Sequence, residues 1–202
     1  MVFVDHGIFR FLYANRHRVT DRLWRSSQPA PHQIAHLARK GVRTIVNLRG
    51  GRGSGAHFLE ARACARAGIA LVDFTLRSRE PPDRDTILGL KALFDGIAYP
   101  ALMHCKSGAD RVGLAAALYL LLVEGRDVEE AKGQLSLRYG HVRQAKTGVL
   151  DAFLDAYATA ARERPVGFLE WVETAYDPAR VKADFHASAL GNVLVDWVLR
   201  RE

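Results

Sequence analysis

Short apolar segments rich in β-branched residues alternate with helical segments over the first 123 residues, and this alternation restricts the fold more than any other feature. Residues 42–49 lie between Gly41 and Gly50 and are predicted to form a buried strand. Residues 69–76 and 101–103 are further predicted strands, and helical patterns separate all of them. Strands separated by helices favour a mainly parallel sheet covered on its faces, so we expect an α/β fold.

The composition indicates one domain with an appendage. The chain has 202 residues, of which 49% are hydrophobic, which is enough for a substantial core. Its longest apolar run, residues 114–123, is far shorter than the roughly 18 to 20 residues that a membrane span needs. Asp5, His6 and Arg10 interrupt the apolar N-terminal stretch, so no signal peptide is predicted and we expect a cytoplasmic protein. Pro165 marks a predicted boundary between a domain over residues 1–164 and a helical extension over residues 165–202 that packs on it.

Positive charge is concentrated near the N-terminus. Residues 1–62 contain eleven Lys and Arg against three Asp and Glu, and the chain as a whole has a net charge of +7. Such a field attracts anions of any kind, including phosphorylated substrates and anionic membranes. The chain has no zinc-finger, basic-zipper or RNP-type motif, so nucleic acid is not a predicted partner. The two cysteines are too few for a structural zinc site and the histidines lack ligand spacing, so we predict neither metal nor cofactor.

The most informative segment follows the predicted strand at residues 101–103. This strand leads into His104 and Cys105, and a loop containing Gly108 then leads into a long helix. Backbone N–H groups at such a helix N-terminus bind oxyanions and favour a thiolate over a thiol. Arg111 can hold two phosphate oxygens through its planar fork. We therefore predict that Cys105 attacks phosphorus and that a phosphate is bound by the loop residues Lys106, Ser107, Gly108, Ala109, Asp110 and Arg111.

The segment His104-Cys105-(five residues)-Arg111 resembles the signature of the cysteine-dependent protein tyrosine phosphatase superfamily. Its form HCKSGADR is most similar to that of compact bacterial, dual-specificity-like members. The resemblance covers roughly residues 20–160, because residues 24–29 (WRSSQP) and 42–49 also resemble these domains. It implies a parallel four-stranded sheet with flanking helices, a phosphocysteine intermediate on Cys105, phosphate binding by Arg111, and no metal.

The chain departs from this superfamily at two positions. Val112 stands where a Ser or Thr usually helps to expel the thiolate, so hydrolysis of the phosphocysteine is the step in doubt. Ser78 occupies the usual place of the aspartic general acid. We rank Glu80 first as a replacement, because its Arg-Glu-Pro context resembles that of phosphatases acting on inositol pyrophosphates. Asp83 is second and Asp110, as in myotubularin-like loops, is third; a solvated surface carboxylate is an equally good interpretation of each.

The sequence leaves two substrate classes open. Lys106 adds a second positive charge at the site, which would suit a multiply phosphorylated headgroup. Apolar and basic residues between Val2 and Arg18 could lie on an anionic membrane surface, although such segments more often pack on their own domain. The expected substrate is therefore a phosphotyrosine-type protein or a phosphorylated lipid or glycolipid, such as lipid A or a phosphoinositide. In the second case the protein would contact the inner membrane peripherally.

Three other interpretations of the Cys105 segment stay open. Rhodanese-type sulfurtransferases also place a cysteine between a strand and a helix, but with a shorter loop. A non-catalytic module that binds a phosphorylated ligand, a pseudophosphatase, is compatible with Val112 and Ser78. Cys105 could also be a buried thiol without chemistry. Turnover of an aryl phosphate without added metal distinguishes the phosphatase from all three.

Overall fold

A computed structural model describes the backbone of residues 14–50 and 53–199 and the side chains of residues 14–50 and 53–188. Within this part of the chain, five strands form one sheet in the order β1-β2-β5-β3-β4. Their bounds are His17–Arg18 (β1), Leu23–Ser27 (β2), Thr44–Asn47 (β3), Ala70–Asp73 (β4) and Ala101–Cys105 (β5).

Eight α-helices are present in the same residues. They are Pro31–Arg39 (α1), Gly55–Ala67 (α2), Arg84–Gly96 (α3), Asp110–Leu122 (α4), Val128–Lys132 (α5), Val149–Glu163 (α6), Phe168–Thr174 (α7) and Pro178–Leu199 (α8). Two short 3₁₀ turns, Leu137–Tyr139 and Lys146–Gly148, lie between α5 and α6.

The sheet is parallel except at one edge. Strands β2, β5, β3 and β4 run parallel, and the two-residue β1 pairs with β2 in the antiparallel direction. The predicted mainly parallel four-stranded sheet flanked by helices is therefore confirmed, with β1 added to it. The carboxyl ends of the four parallel strands meet at one edge, where Ser27, Asn47, Asp73 and Cys105 are the last strand residues. Parallel α/β sheets bind their ligands at this edge.

Side chains of β5 alternate between two apolar layers, because successive strand residues point to opposite faces. Met103 and Cys105 belong to the larger layer, which includes α4 and α6. Leu102 belongs to the smaller layer, which α1 and α2 cover. All five β5 residues are buried, as expected for a central parallel strand.

Several predicted bounds were wrong near the ends of elements. Helical patterns in the sequence also predict helices over residues 128–138 and 142–162. The first ends at Lys132 and the second begins only at Val149. Gly133, Gly140 and Gly148 interrupt the helical pattern, and the segment between α5 and α6 forms turns instead. The strand expected over residues 69–76 is limited to Ala70–Asp73.

The residues after position 165 share the larger apolar layer with the rest of the chain. Trp171 of α7 contacts Phe153 and Tyr157 of α6, with ring centroids 6.0 and 5.3 Å apart. Tyr176 donates a hydrogen bond to the carbonyl of Pro82 at 2.7 Å, and α8 packs against α6.

No helix among the described residues is long and apolar enough to cross a membrane. The apolar and basic residues 2–13, for which a membrane-surface contact was considered, lie outside the described residues.

Candidate active site

Cys105 is the last residue of the central strand β5 and is 1% exposed. Strands β2 and β3 flank it on either side. Residues 106–109 connect it to α4, which begins at Asp110. We call residues 105–109 the Cys105 loop. The sequence correctly placed this loop between a buried strand and a helix N-terminus.

Gly108 allows the Cys105 loop to pack closely against β2. Its φ of +81° lies in the left-handed region, which favours glycine. A Cβ atom at this position would lie 2.6 Å from the backbone nitrogen of Ser27 and 2.9 Å from Nδ2 of Asn15. A side chain here would therefore push the loop away from the end of β2.

Two side chains from outside the motif hold three successive carbonyl groups of this loop. Asn15 Nδ2 donates to the Ser107 carbonyl at 3.1 Å. Arg25 donates through one terminal nitrogen to the carbonyls of Gly108 and Ala109, both at 3.0 Å. The carbonyl side of the loop is thus fixed by these two residues.

The residues predicted to bind phosphate are contiguous in space. Lys106 and Ser107 are exposed, whereas Gly108 and Ala109 are buried. Arg111 is half-buried in the first turn of α4, where backbone N–H groups lack helical partners. This arrangement combines a thiol, a cation and a helix N-terminus, which suits a tetrahedral oxyanion.

A buried polar network lies on the opposite face of β5. His104 is buried, and its Nε2 lies 2.7 Å from Oε1 of the buried Glu60 on α2. Glu60 also accepts a hydrogen bond from Gln28 at 2.8 Å, and Gln28 in turn accepts one from Arg49. The residue next to the thiol is therefore fixed by contacts that link α2 to the strands.

The first two candidate acids lie on the loop of residues 77–83 and already have partners. Glu80 contacts Arg77 at 2.6 Å and Lys182 of α8 at 3.5 Å, and these cations lower the pKa of its carboxyl group. Asp83 caps α3 by accepting a hydrogen bond from the Thr86 backbone at 2.8 Å. Hydrogen bonding to the Thr86 side chain, and then to its backbone, lowers the pKa of Asp83. Both contacts favour the ionised carboxylate.

The third candidate acid belongs to a charged triad. His141 is buried between two carboxylates, with Nδ1 2.7 Å from Asp110 and Nε2 2.7 Å from Asp151 of α6. Burial disfavours the charged imidazolium, but the hydrogen bonds that it donates to both carboxylates outweigh this effect and raise the pKa of His141 to about 9. The imidazolium thus connects the start of α4, beside Arg111, to α6.

Sequence reasoning missed some of the residues that shape this site and considered others only in outline. Asn15 and Glu60 were not singled out, and Arg25 was noted only within the resembling residues 24–29. A signal was available for Glu60, because a single carboxylate among the apolar positions of a helix is unusual.

Cys64 lies in the smaller apolar layer, and burial raises its pKa to about 12. From sequence, Cys64 could be a resolving thiol that protects Cys105 as a disulfide, but a low-reactivity thiol on the other face of the sheet does not suit that role.

Among the described residues, no cluster of His, Cys, Asp and Glu has a geometry that could hold a metal ion.

The fold and this loop place the chain in a known family. Residues 13–149 match the family described as a DSP-PTPase phosphatase fused to NAD⁺ kinase. The match covers more than half of the chain, and the chain belongs to this family within the cysteine-dependent phosphatases.

Individual relatives agree with this assignment. The dual specificity protein phosphatase TpbA of Pseudomonas aeruginosa is 30% identical over 119 residues, which are 58% of this chain and 51% of TpbA. This chain therefore spans about half the length of the curated relative that it matches.

Solved structures show the same fold. The crystal structure of TpbA in complex with phosphotyrosine has a TM-score of 0.56 at 23% identity and covers 72% of this chain and 91% of that chain. A DUF442 protein from Shewanella putrefaciens has a TM-score of 0.61 at 19% identity and covers 76% of this chain and 95% of that chain.

Proposed function

We propose that this protein is a metal-independent phosphatase that hydrolyses phosphomonoesters through a phosphocysteine intermediate. The observation that carries this proposal is the position of Cys105 at the end of β5, directly before a tight turn at Gly108 and the N-terminus of α4. The positive end of the helix dipole there favours the thiolate and the bound phosphoryl group. Membership of the phosphatase family supports the same chemistry.

The reaction proceeds in two displacements at phosphorus. In the first, the Cys105 thiolate attacks phosphorus, the bond to the leaving oxygen breaks, and that oxygen takes a proton from an acid. In the second, the conjugate base of that acid takes a proton from water as the water oxygen attacks phosphorus, the S–P bond breaks, and inorganic phosphate leaves while Cys105 returns to the thiolate. Arg111 binds two phosphoryl oxygens throughout and stabilises the charge that develops on them.

Glu80 is the acid that we propose for the first step. Asp83 caps the N-terminus of α3 and Asp110 contacts His141, so movement of either carboxylate toward a substrate would break a contact within the fold. Glu80 is bound only by exposed or half-exposed cations, and contacts of that kind contribute little to stability. Its carboxyl group can therefore leave Arg77 and Lys182 when substrate binds, and the acid role requires this departure because those cations favour the ionised carboxylate.

Phosphotyrosine in a protein is the substrate class that we favour. TpbA is named a dual specificity protein phosphatase, and its crystal structure with phosphotyrosine has the same fold as this chain. A phosphorylated lipid or glycolipid is the alternative. Phosphate release from phosphotyrosine peptides, phosphoinositides and phosphorylated glycolipids, compared at equal concentration, decides between the two classes.

The decisive variants are Cys105→Ser and Arg111→Lys. We expect wild-type protein to hydrolyse an aryl phosphate without added metal, Cys105→Ser to lose turnover but keep phosphate binding, and Arg111→Lys to be nearly inactive because a point charge replaces the fork. Steady-state kinetics and phosphate binding by calorimetry give both readouts. Substantial turnover by Cys105→Ser would exclude the covalent route, and a wild type that binds phosphate without turnover would instead be a pseudophosphatase.

A further inference from the structure

We infer that Asn15 and Arg25 are positioning residues that turn the backbone N–H groups of the Cys105 loop toward a bound oxyanion. Neither residue belongs to the segment from Cys105 to Arg111. The inference rests on the proposed function, because the Cys105 loop is the proposed phosphoryl site. The observation behind it is that three successive loop carbonyls accept hydrogen bonds from these two side chains.

Because peptide groups are planar, hydrogen bonds to the loop carbonyls also determine the direction in which the loop N–H groups point. A trans peptide is planar, and the C=O of one residue points opposite to the N–H of the next. Because the carbonyls of Ser107, Gly108 and Ala109 point toward Asn15 and Arg25, the N–H groups of Gly108, Ala109 and Asp110 point away from them. A rotation of any of these planes would present a carbonyl oxygen to the anion and repel it.

Arg25 is held rigidly in a position that is costly for a cation. Its side chain is buried, its other terminal nitrogen donates to the Gln134 carbonyl at 2.6 Å, and its guanidinium packs over the Tyr139 ring at 4.0 Å. Burial lowers the pKa of Arg25 to about 10, although negative charge on Tyr139, Cys105 and Asp110 acts in the opposite direction.

Asn15 adopts a conformation that its backbone does not favour. Its φ of +36° makes it the one residue other than glycine with a positive φ among those described. His17 Nε2 lies 3.0 Å from Oδ1 of Asn15 and donates to it, because that oxygen carries no proton. Nδ2 is thereby directed to the carbonyls of Ser107 and Tyr139, at 3.1 and 2.9 Å. Backbone strain kept in place by such contacts is typical of functional sites.

The test removes side-chain hydrogen bonds of Asn15 and Arg25 to the Cys105 loop without introducing backbone strain. In Asn15→Gly the amide is lost, but glycine adopts the positive φ without strain, so folding is retained. In Arg25→Lys the charge remains, but one ammonium group cannot reproduce the guanidinium fork. Arg18→Lys is the matched control, because Arg18 lies on the neighbouring β1 and is exposed. The measurements are the affinity for tungstate, a phosphate-like oxyanion, by calorimetry, and the midpoint of thermal unfolding.

We expect Asn15→Gly and Arg25→Lys to bind tungstate at least about tenfold more weakly than the wild type, since misdirected amides lose charge-assisted hydrogen bonds. Arg18→Lys should bind as the wild type does, and the unfolding midpoint of Asn15→Gly should change by no more than a few degrees. Wild-type affinity in folded Asn15→Gly would overturn the inference, and this variant decides the question if Arg25→Lys does not fold.

This experiment is independent of turnover. A wild-type protein that binds tungstate with this dependence on Asn15, but hydrolyses no phosphate ester, would refute the proposed function and leave the positioning role intact. A wild-type protein that binds no tungstate would overturn the positioning role itself.

Discussion

Val112 is the residue at which the chain departs most clearly from the phosphatases that its motif resembles. It is fully buried in the larger apolar layer, directly after Arg111. Without a hydroxyl to assist departure of the Cys105 thiolate, hydrolysis of the intermediate should be slower than its formation. We therefore predict a burst of leaving group that approaches one equivalent per enzyme, followed by a slow steady state.

Val112→Thr tests this explanation because it is nearly isosteric. It should raise kcat with less effect on kcat/KM, which reports only the steps through release of the first product. Rapid-mixing kinetics with an aryl phosphate measure both quantities. The absence of a burst, together with an unchanged kcat in Val112→Thr, would show that the hydroxyl is not needed here, for example because Ser107 supplies one.

Glu80 can be tested through the leaving group. An activated aryl oxide leaves without a proton, whereas an alkoxide needs one, so loss of the acid should matter only for the second. We expect Glu80→Gln to slow hydrolysis of an alkyl phosphate by about 10²- to 10⁴-fold and that of an activated aryl phosphate far less. Equal effects on both substrates would reject Glu80, and the same comparison on Asp83 and Asp110 would identify the acid.

The residues that could be predicted from sequence are those that act through contiguous backbone. Cys105 and Arg111 could be proposed because a strand, a loop and a helix follow one another over a few residues, and their catalytic roles stay a prediction. Arg25 and Asn15 contact the same loop from 83 and 92 positions away in the chain. Such contacts depend on which strands become neighbours, and no local pattern encodes that.

At the scale of elements, His141 connects α4 to α6 through a charged contact on each side. Its pKa of about 9 in the folded protein is above its ordinary value of 6.5. A group whose pKa is raised by folding stabilises the protein fully below its unfolded pKa and loses this effect as the pH rises through its folded pKa. The stabilisation should therefore be complete below pH 6.5 and be lost around pH 9.

The comparison of wild type with His141→Gln isolates this titration, because the two proteins differ in this side chain alone. We expect the difference in free energy of unfolding between the two proteins to fall by about 3 kcal/mol from pH 6 to pH 10. Denaturant titrations at several pH values measure it. A difference independent of pH would show that His141 is not charged in the folded protein.

The elements themselves were predictable to different degrees. The central strand β5 was recognised because continuous burial leaves an uninterrupted apolar run over residues 101–103. Residues 133–138 and 142–148 were predicted to belong to two longer helices, over residues 128–138 and 142–162, but they form turns. The true conformation of residues 133–148 depends on tertiary contacts, such as those of His141 with Asp110 and Asp151.

At the scale of the whole molecule, residues after position 165 pack into the larger apolar layer and should contribute to the free energy of unfolding of the whole chain. Trp171 is buried against Phe153 and Tyr157, so Trp171→Ala removes a large buried ring. We expect this change to lower the free energy of unfolding by about 3 to 5 kcal/mol. Phe58→Ala is the control, because that ring is 64% exposed and its loss should change stability by no more than about 0.5 kcal/mol. Similar effects of the two changes would contradict the assignment of α7 to the core.

The same C-terminal residues also contact the loop that carries the proposed acid. Tyr176 donates to the carbonyl of Pro82, and Lys182 lies 3.5 Å from Glu80. The sequence predicted helices that pack on the domain, but it gave no reason to place them beside residues 77–83. Between these two contacts Asp177 caps the start of α8 by accepting a hydrogen bond from the backbone N–H of Ala179 at 2.8 Å.

The most direct test of the covalent mechanism is to look for the intermediate itself. Because Val112 should slow its hydrolysis, acid quenching during turnover of an aryl phosphate should trap it, and mass spectrometry of the digested protein should find it. We predict that one phosphoryl group is present on the peptide that contains Cys105 and on no peptide of the Cys105→Ser variant. Turnover by the wild type with no phosphoryl group on Cys105 at any quench time, or with the group on another residue, would contradict the account.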